Sequence, residues 1–148
     1  MVEELKARIN DFESVHELLS RLANFEEEED IKDIYLDNES EDVKKIREHQ
    51  KDNYLVVYRP KGTGFDKIRE EAVSAEEKET IIKELGIEQI QDKVIRRYKW
   101  RKYDLLLISI RGTGDFLVIQ GKTVDKSIYD ELGVQVEEFI NVAFSELN

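Results

Sequence analysis

Residues 93–124 constrain the fold more tightly than any other stretch of the chain. Lys93 to Trp100, Tyr103 to Arg111 and Asp115 to Val124 are three consecutive runs rich in branched and aromatic residues. Each has strand length, and the breaks between them are too short for anything but tight turns. Gly112-Thr113-Gly114 reads as a three-residue hairpin loop with glycine in the left-handed position. An antiparallel meander is the expected product.

The flanking segments read as the cover. Val2, Leu5, Ile9, Phe12, Val15, Leu18, Leu19, Leu22 and Phe25 recur at three- and four-residue steps, which predicts a long amphipathic helix. Glu26 to Asp30 is an acidic run expected in a solvated turn, and Val43 to Gln50 reads as a short helix. Tyr54 to Tyr58 is a buried strand ended by Arg59-Pro60-Lys61-Gly62-Thr63-Gly64. Helix is expected over 65–72, and again after Ser74-Ala75-Glu76-Glu77, a capping box in which serine and glutamate satisfy each other's free amides. Asp125 caps a short helix to Leu132. Val136, Phe139, Ile140, Ala143, Phe144 and Leu147 predict a C-terminal helix. The expected fold is therefore a single α+β domain over 1–148. It has an acidic helical segment at 1–52, a strand-bearing core at 53–124 and C-terminal helices at 125–148. A three- to four-stranded antiparallel meander is covered on one face by helices.

Composition narrows the chemistry. The 148 residues include no cysteine and only two histidines, His16 and His49. Thiolate metal sites, disulfide frameworks and cysteine nucleophiles are excluded, and histidine-based metal sites are poorly served. No apolar run nears the roughly 18 residues of a membrane span, and the N-terminus does not read as a signal peptide, so the expected location is the cytoplasm.

Charge is segregated along the chain. Residues 1–52 carry a net −9 and residues 127–148 a net −5, whereas residues 93–126 carry +6 within a total of −11. Six of the ten residues from Lys93 to Lys102 are basic. In an extended strand Tyr98 and Trp100 share one face and seek burial, leaving Arg97, Lys99 and Arg101 as an exposed ladder on the other. Such a ladder suits an acidic protein partner or a second copy docked through the acidic N-terminal segment. It also protects a sheet edge from aggregation. Tight nucleic-acid binding through the 93–102 strand is disfavoured by the long-range repulsion of 34 acids.

The hairpin holds a second constellation. If Arg111 faces Asp115 across the turn, Asp104 lies opposite Lys122 and Gln120 opposite Leu106. Leu106, Ile108, Ile110, Phe116 and Val118 then share their face, apolar near the turn and polar at the far end. Asp104 with Gln120-Gly121-Lys122 resembles the core of the PD-(D/E)xK nuclease fold. There an acid begins one strand, and an acid-x-Lys or Gln-x-Lys lies on the next. The resemblance implies that Asp104 and Gln120 hold a magnesium ion while Lys122 orients or deprotonates the attacking water. Glutamine replaces the usual acid, and neither proline nor glycine precedes Asp104. A cross-strand ion pair at the sheet rim accounts for the same residues.

No complete catalytic set accompanies these features. Pro60-Lys61-Gly62-Thr63-Gly64 lacks the spacing of a phosphate-wrapping loop, and no nucleophile elbow is present. The sequence therefore favours a small non-enzymatic interaction or regulatory protein without a cofactor. A metal-dependent nuclease-like protein is the alternative.

Overall fold

The computed structural model describes every residue except Met1, Glu39, Thr63 and Asn148. Glu39, within the polar stretch Asp37-Asn38-Glu39-Ser40-Glu41-Asp42 that the sequence suggests is a loop, and Thr63 in the expected turn thus lie outside the described residues. Nine strands, β1 (Val2–Ile9), β2 (Asn24–Leu36), β3 (Val43–His49), β4 (Asp52–Lys61), β5 (Gly64–Val73), β6 (Ile87–Trp100), β7 (Tyr103–Ile110), β8 (Gly114–Gly121) and β9 (Glu138–Ile140), form one sheet. Its order is β5-β4-β3-β2-β6-β7-β8-β1-β9, and β1 also pairs with β5. The first eight strands therefore close into an antiparallel barrel. Three helices, α1 (Phe12–Leu22), α2 (Ala75–Leu85) and α3 (Ser127–Leu132), lie outside it.

This corrects the α+β expectation of a helical N-terminal half and a three- to four-stranded meander. The segment expected to be one helix from Val2 to Phe25 is strand, helix, strand. Glu26–Asp30 and Val43–His49 are strands, as is 65–72. The short helix expected to Leu132 is present as α3, but in the stretch from Val136 to Leu147, expected as helix, the described residues form β9 and a 3-10 turn at Phe144–Glu146. β1 and β3 share one physical cause. Both carry charged side chains on the face turned into the barrel, so their polar alternation imitates the solvent face of a helix. In β1, Leu5, Ala7 and Ile9 pack outward while Glu4 and Lys6 line the interior. In β3, Ile46 packs outward while Lys45 and Arg47 point in.

Hydrophobic packing lies on both sides of the barrel wall. Outside, Leu105, Leu107, Leu117 and Ile119 pack with Leu19 of α1 and Ile128, Tyr129 and Leu132 of α3. On the opposite flank, Ile34, Leu36, Ile46, Leu55 and Val57 lie under Ile81 and Ile82 of α2. Inside, Ile95, Leu106, Ile108, Phe116 and Val118 form an apolar cluster with Ile140 and Phe144. Burial on both faces explains the unbroken leucines of β7. The capping box at Ser74 and Glu77 is formed, and α2 begins where that motif predicts.

The 93–124 meander is present, with a register two positions away from expectation. Ile110 pairs with Gly114 and Asp104 with Gln120. The loop is Arg111-Gly112-Thr113 rather than Gly112-Thr113-Gly114. Gly112 supplies the left-handed residue at φ 79°. Arg8 reaches across from β1 to donate to the Thr113 carbonyl at 2.9 Å. A side chain at Gly114 would collide with that guanidinium, its Cβ standing 2.3 Å from Arg8 Nη1. A slip of two keeps every side chain on its expected face.

Among the described residues, no helix is long and apolar enough to cross a membrane.

Candidate functional site, a cationic barrel lumen

The barrel encloses a cavity of 870 Å³. One end is walled by the apolar cluster and the other by charge. Asp33 stands on β2 between the two strands that carry its partners, β3 and β6. Its carboxylate accepts from Arg47 Nε at 2.8 Å and Arg47 Nη2 at 2.9 Å, a two-pronged contact. It also accepts from Lys45 Nζ at 3.0 Å and Lys93 Nζ at 2.7 Å. Lys93 donates in addition to the Tyr35 hydroxyl at 2.9 Å. Asp33, Lys45 and Lys93 are 0%, 5% and 4% exposed, so three cations share one carboxylate in near-complete burial. Lys6 and Arg97 line the same lumen.

The electrostatics follow from that ratio. Burial alone would raise the Asp33 pKa, but Lys45, Lys93 and Arg47 outweigh it and hold the carboxyl well below its usual range. Burial pushes the Lys45 ammonium well below its ordinary value, and Arg47 and Lys93 add repulsion that Asp33 offsets only in part. Burial also lowers Lys93 and Lys6. Tyr58, which faces the same site, is pushed up to about 12, chiefly by burial. Buried cations in excess of their counter-charge are costly, and Glu4, which also lines the lumen, offsets part of that cost for Lys6 and Lys93.

The sequence-derived candidates occupy different parts of this frame. Arg97 points into the lumen and pairs with Glu29, with Glu27 at 3.7 Å. Lys99 lies exposed and pairs with Asp104. Arg101 occupies the β6–β7 turn at φ 54°, stacks over Trp100 at 4.2 Å and pairs with Glu131 at 2.9 Å. The three therefore do not form one ladder. β6 is an interior strand flanked by β2 and β7, and the face taken as exposed is largely the lumen face. Glu28 and Glu13 bind Arg96 in the same way. Acids of the N-terminal segment thus meet the basic strand within one chain.

Asp104 pairs across the ladder with Gln120, not Lys122, and its carboxylate is engaged by Lys99. Gln120 turns into the lumen and donates to Glu4 Oε1 at 2.9 Å. Lys122 lies exposed beyond the end of β8. Among the described residues, no group of three or more acids or histidines is placed to hold a metal ion. The strands that carry the nuclease resemblance belong to a closed antiparallel barrel, and nothing in this fold supports the nuclease-like reading. Sequence reasoning missed Lys45, Arg47 and Asp33 altogether. Their signal was the period-two pattern of Asp33-Ile34-Tyr35-Leu36 and Lys45-Ile46-Arg47, which is strand period with the polar face inside.

The fold and site thus define a closed eight-stranded antiparallel barrel with a buried, cation-rich interior. No family model matches the sequence, and no curated protein does either. Solved structures do match. A conserved hypothetical protein from Pyrococcus furiosus superposes with a TM-score of 0.87 over 100% of both chains at 20% identity. A putative adenylate cyclase from Vibrio parahaemolyticus matches with a TM-score of 0.76 at 12% identity, over 98% of this chain and 95% of that one. A putative adenylyl cyclase from Hippeastrum, described as having a dominant triphosphatase activity, matches with a TM-score of 0.64 at 16% identity, over 99% and 93%. At these identities the likeness shows the shared barrel fold.

Proposed function

We propose that the lumen binds the phosphate chain of a triphosphate compound, and that hydrolysis of such a compound is the first reaction to test. The observation that carries this reading is the convergence of Lys45, Arg47 and Lys93 on the single carboxylate of Asp33. A phosphate chain supplies several anionic oxygens at spacings that lysine and arginine can bridge, and charge-assisted hydrogen bonds in a water-poor lumen are strong. Adenylate cyclase and triphosphatase, the activities named for two of the similar barrels, both take triphosphates. The reading replaces a purely non-enzymatic interaction role.

The chain's own residues have distinct tasks here. Arg47 is bound at both nitrogens by Asp33, which fixes its guanidinium plane across the lumen. Lys45 has ammonium protons beyond its bond to Asp33, and Lys93 has one beyond its bonds to Asp33 and Tyr35, and these can turn toward a ligand. The deciding experiment is calorimetric titration with inorganic tripolyphosphate and with orthophosphate, paired with a phosphate-release assay. Tripolyphosphate binding at least tenfold tighter than orthophosphate, and loss of that preference in Lys45→Met, is the expected result. Equal, weak binding of both anions by the wild type sinks the proposal.

A further inference from the structure

We infer that residues 141–147 are a built-in plug, with Phe144 competing with the ligand's phosphate chain for Lys6 and Lys93. The inference rests on the lumen reading above and adds its regulation. β9 takes the edge of β1 along Lys6–Arg8, where β5 has already parted from it after Val2 and Glu3. From that anchor the chain turns into the barrel, and Val142 and Phe144 become part of the cavity wall. The Phe144 ring packs on Phe116 with centroids 5.0 Å apart. The ammonium groups of Lys6 and Lys93 stand 5.1 and 5.2 Å from the same ring's centroid. Lys6 also donates to the Val142 carbonyl. Two of the lumen's cations are thus engaged by the chain's own C-terminal segment.

These contacts are weak beside what a phosphate offers. A cation over a phenyl ring is worth less than a charge-assisted hydrogen bond to an anionic oxygen. Apolar packing of Phe144 and Leu147 against the lumen cluster and two side-chain hydrogen bonds supply the rest of its hold. Gln91 Nε2 donates to the Phe144 carbonyl at 2.7 Å, and Gln89 Nε2 approaches the Leu147 carbonyl at 3.4 Å. The bond from Gln91 leaves its own Oε1 buried without a partner, so the closed arrangement carries an unsatisfied acceptor that opening relieves. A short segment with a single 3-10 turn and few hydrogen bonds to the barrel opens locally at low cost. A ligand that takes Lys6 and Lys93 therefore expels Phe144, and its measured affinity is lowered by the closed fraction.

The test uses the full chain, wild type and Phe144→Ala, titrated with tripolyphosphate. A plug closed about nine-tenths of the time masks affinity about tenfold, so Phe144→Ala should bind about tenfold tighter. Hydrogen exchange on the wild type provides the second readout, and decides the matter alone should the variant fold poorly. Residues 141–147 should exchange faster at saturating tripolyphosphate while β2, β3 and β6 exchange more slowly. Unchanged or weaker binding by a folded Phe144→Ala beside a wild type that binds overturns the plug and leaves the lumen reading standing. So does slower exchange in 141–147, which would make the segment a closing lid. Absence of binding by both proteins overturns the lumen reading and the plug with it.

Discussion

Lys45 and Lys93 donate to the same oxygen of Asp33, at 3.0 and 2.7 Å, from strands that flank β2 on either side. One buried atom therefore ties three neighbouring strands of the barrel together. Removing its charge should be far more damaging than removing a surface ion pair. Asp33→Asn leaves two lysines and Arg47 facing one another without a counter-ion, and breaking a buried pair in this way costs about 3–5 kcal/mol. Urea denaturation followed by Trp100 fluorescence measures the loss. Saturating tripolyphosphate should return part of it, because a ligand that binds only the folded state stabilises that state.

The same groups set an unusual dependence of stability on pH. Asp33 is held below its ordinary value. Its contribution is complete above about pH 4 and lost as pH falls through the lower folded value. The three lumen lysines act in the same sense, at higher pH. Their folded pKa values lie below 10.5, so the unfolded chain binds more protons, and stability climbs with pH from those folded values up to 10.5. Tyr58, raised from 10.0 to about 12, reverses the trend: above pH 10 the unfolded chain ionises first, and stability falls. A maximum near pH 10 is expected from denaturation curves at pH 6–11. Tripolyphosphate affinity should fall over the rising part, since only the protonated lysines attract it.

The legible part of the sequence was its doubly apolar half. Leu105 to Ile110 and Phe116 to Ile119 bury both faces, so strand period, turn chemistry and side-chain parity could all be read locally. The face holding Leu106, Ile108, Val118 and Gln120 was assigned correctly and is the lumen wall. The other half was illegible because its polar side chains are inside. Lys45, Arg47, Asp33 and Lys93 look like a solvated surface until the pairing of β3, β2 and β6 gives each a partner on the neighbouring strand, and closure joins β1 to β5 across more than sixty residues. Nor could the two-residue slip in the hairpin be foreseen. It is tied to Arg8, on a strand over a hundred residues away, whose guanidinium occupies the space beside Gly114.

Local signals should also behave locally under mutation. Ser74 Oγ accepts from the Glu77 amide at 3.0 Å, and Glu77 Oε1 accepts from the Ser74 amide at the same distance. Ser74→Ala should cost about 1 kcal/mol, the usual value of an N-cap. Because α2 covers Ile46 and Val57 from outside, the loss should appear in thermal denaturation and leave tripolyphosphate affinity unchanged.

The seam offers the sharpest test of closure itself. Among the described residues, β1 meets β5 through two pairs, Val2 with Phe65 and Glu3 with Gly64. A Cβ at Gly64 would lie 2.0 Å from the Val2 carbonyl oxygen and 2.8 Å from Glu3 Cα. Both obstacles are backbone, so no side-chain rotation relieves the clash, and Gly64→Ala must push the two strands apart. The remaining contacts of β1, to β8 and β9, do not pass through Gly64, so the strand itself should stay in place. The expected phenotype is an opened seam in a folded barrel. Amides of Val2, Glu3, Phe65 and Gly64→Ala itself should lose protection by at least tenfold in hydrogen exchange, with β7 and β8 unchanged. Since Glu4 and Lys6 reach the lumen from the same strand, tripolyphosphate binding should weaken as well. Protection equal to wild type at all four positions would mean that the β1–β5 pairing does not hold the barrel closed.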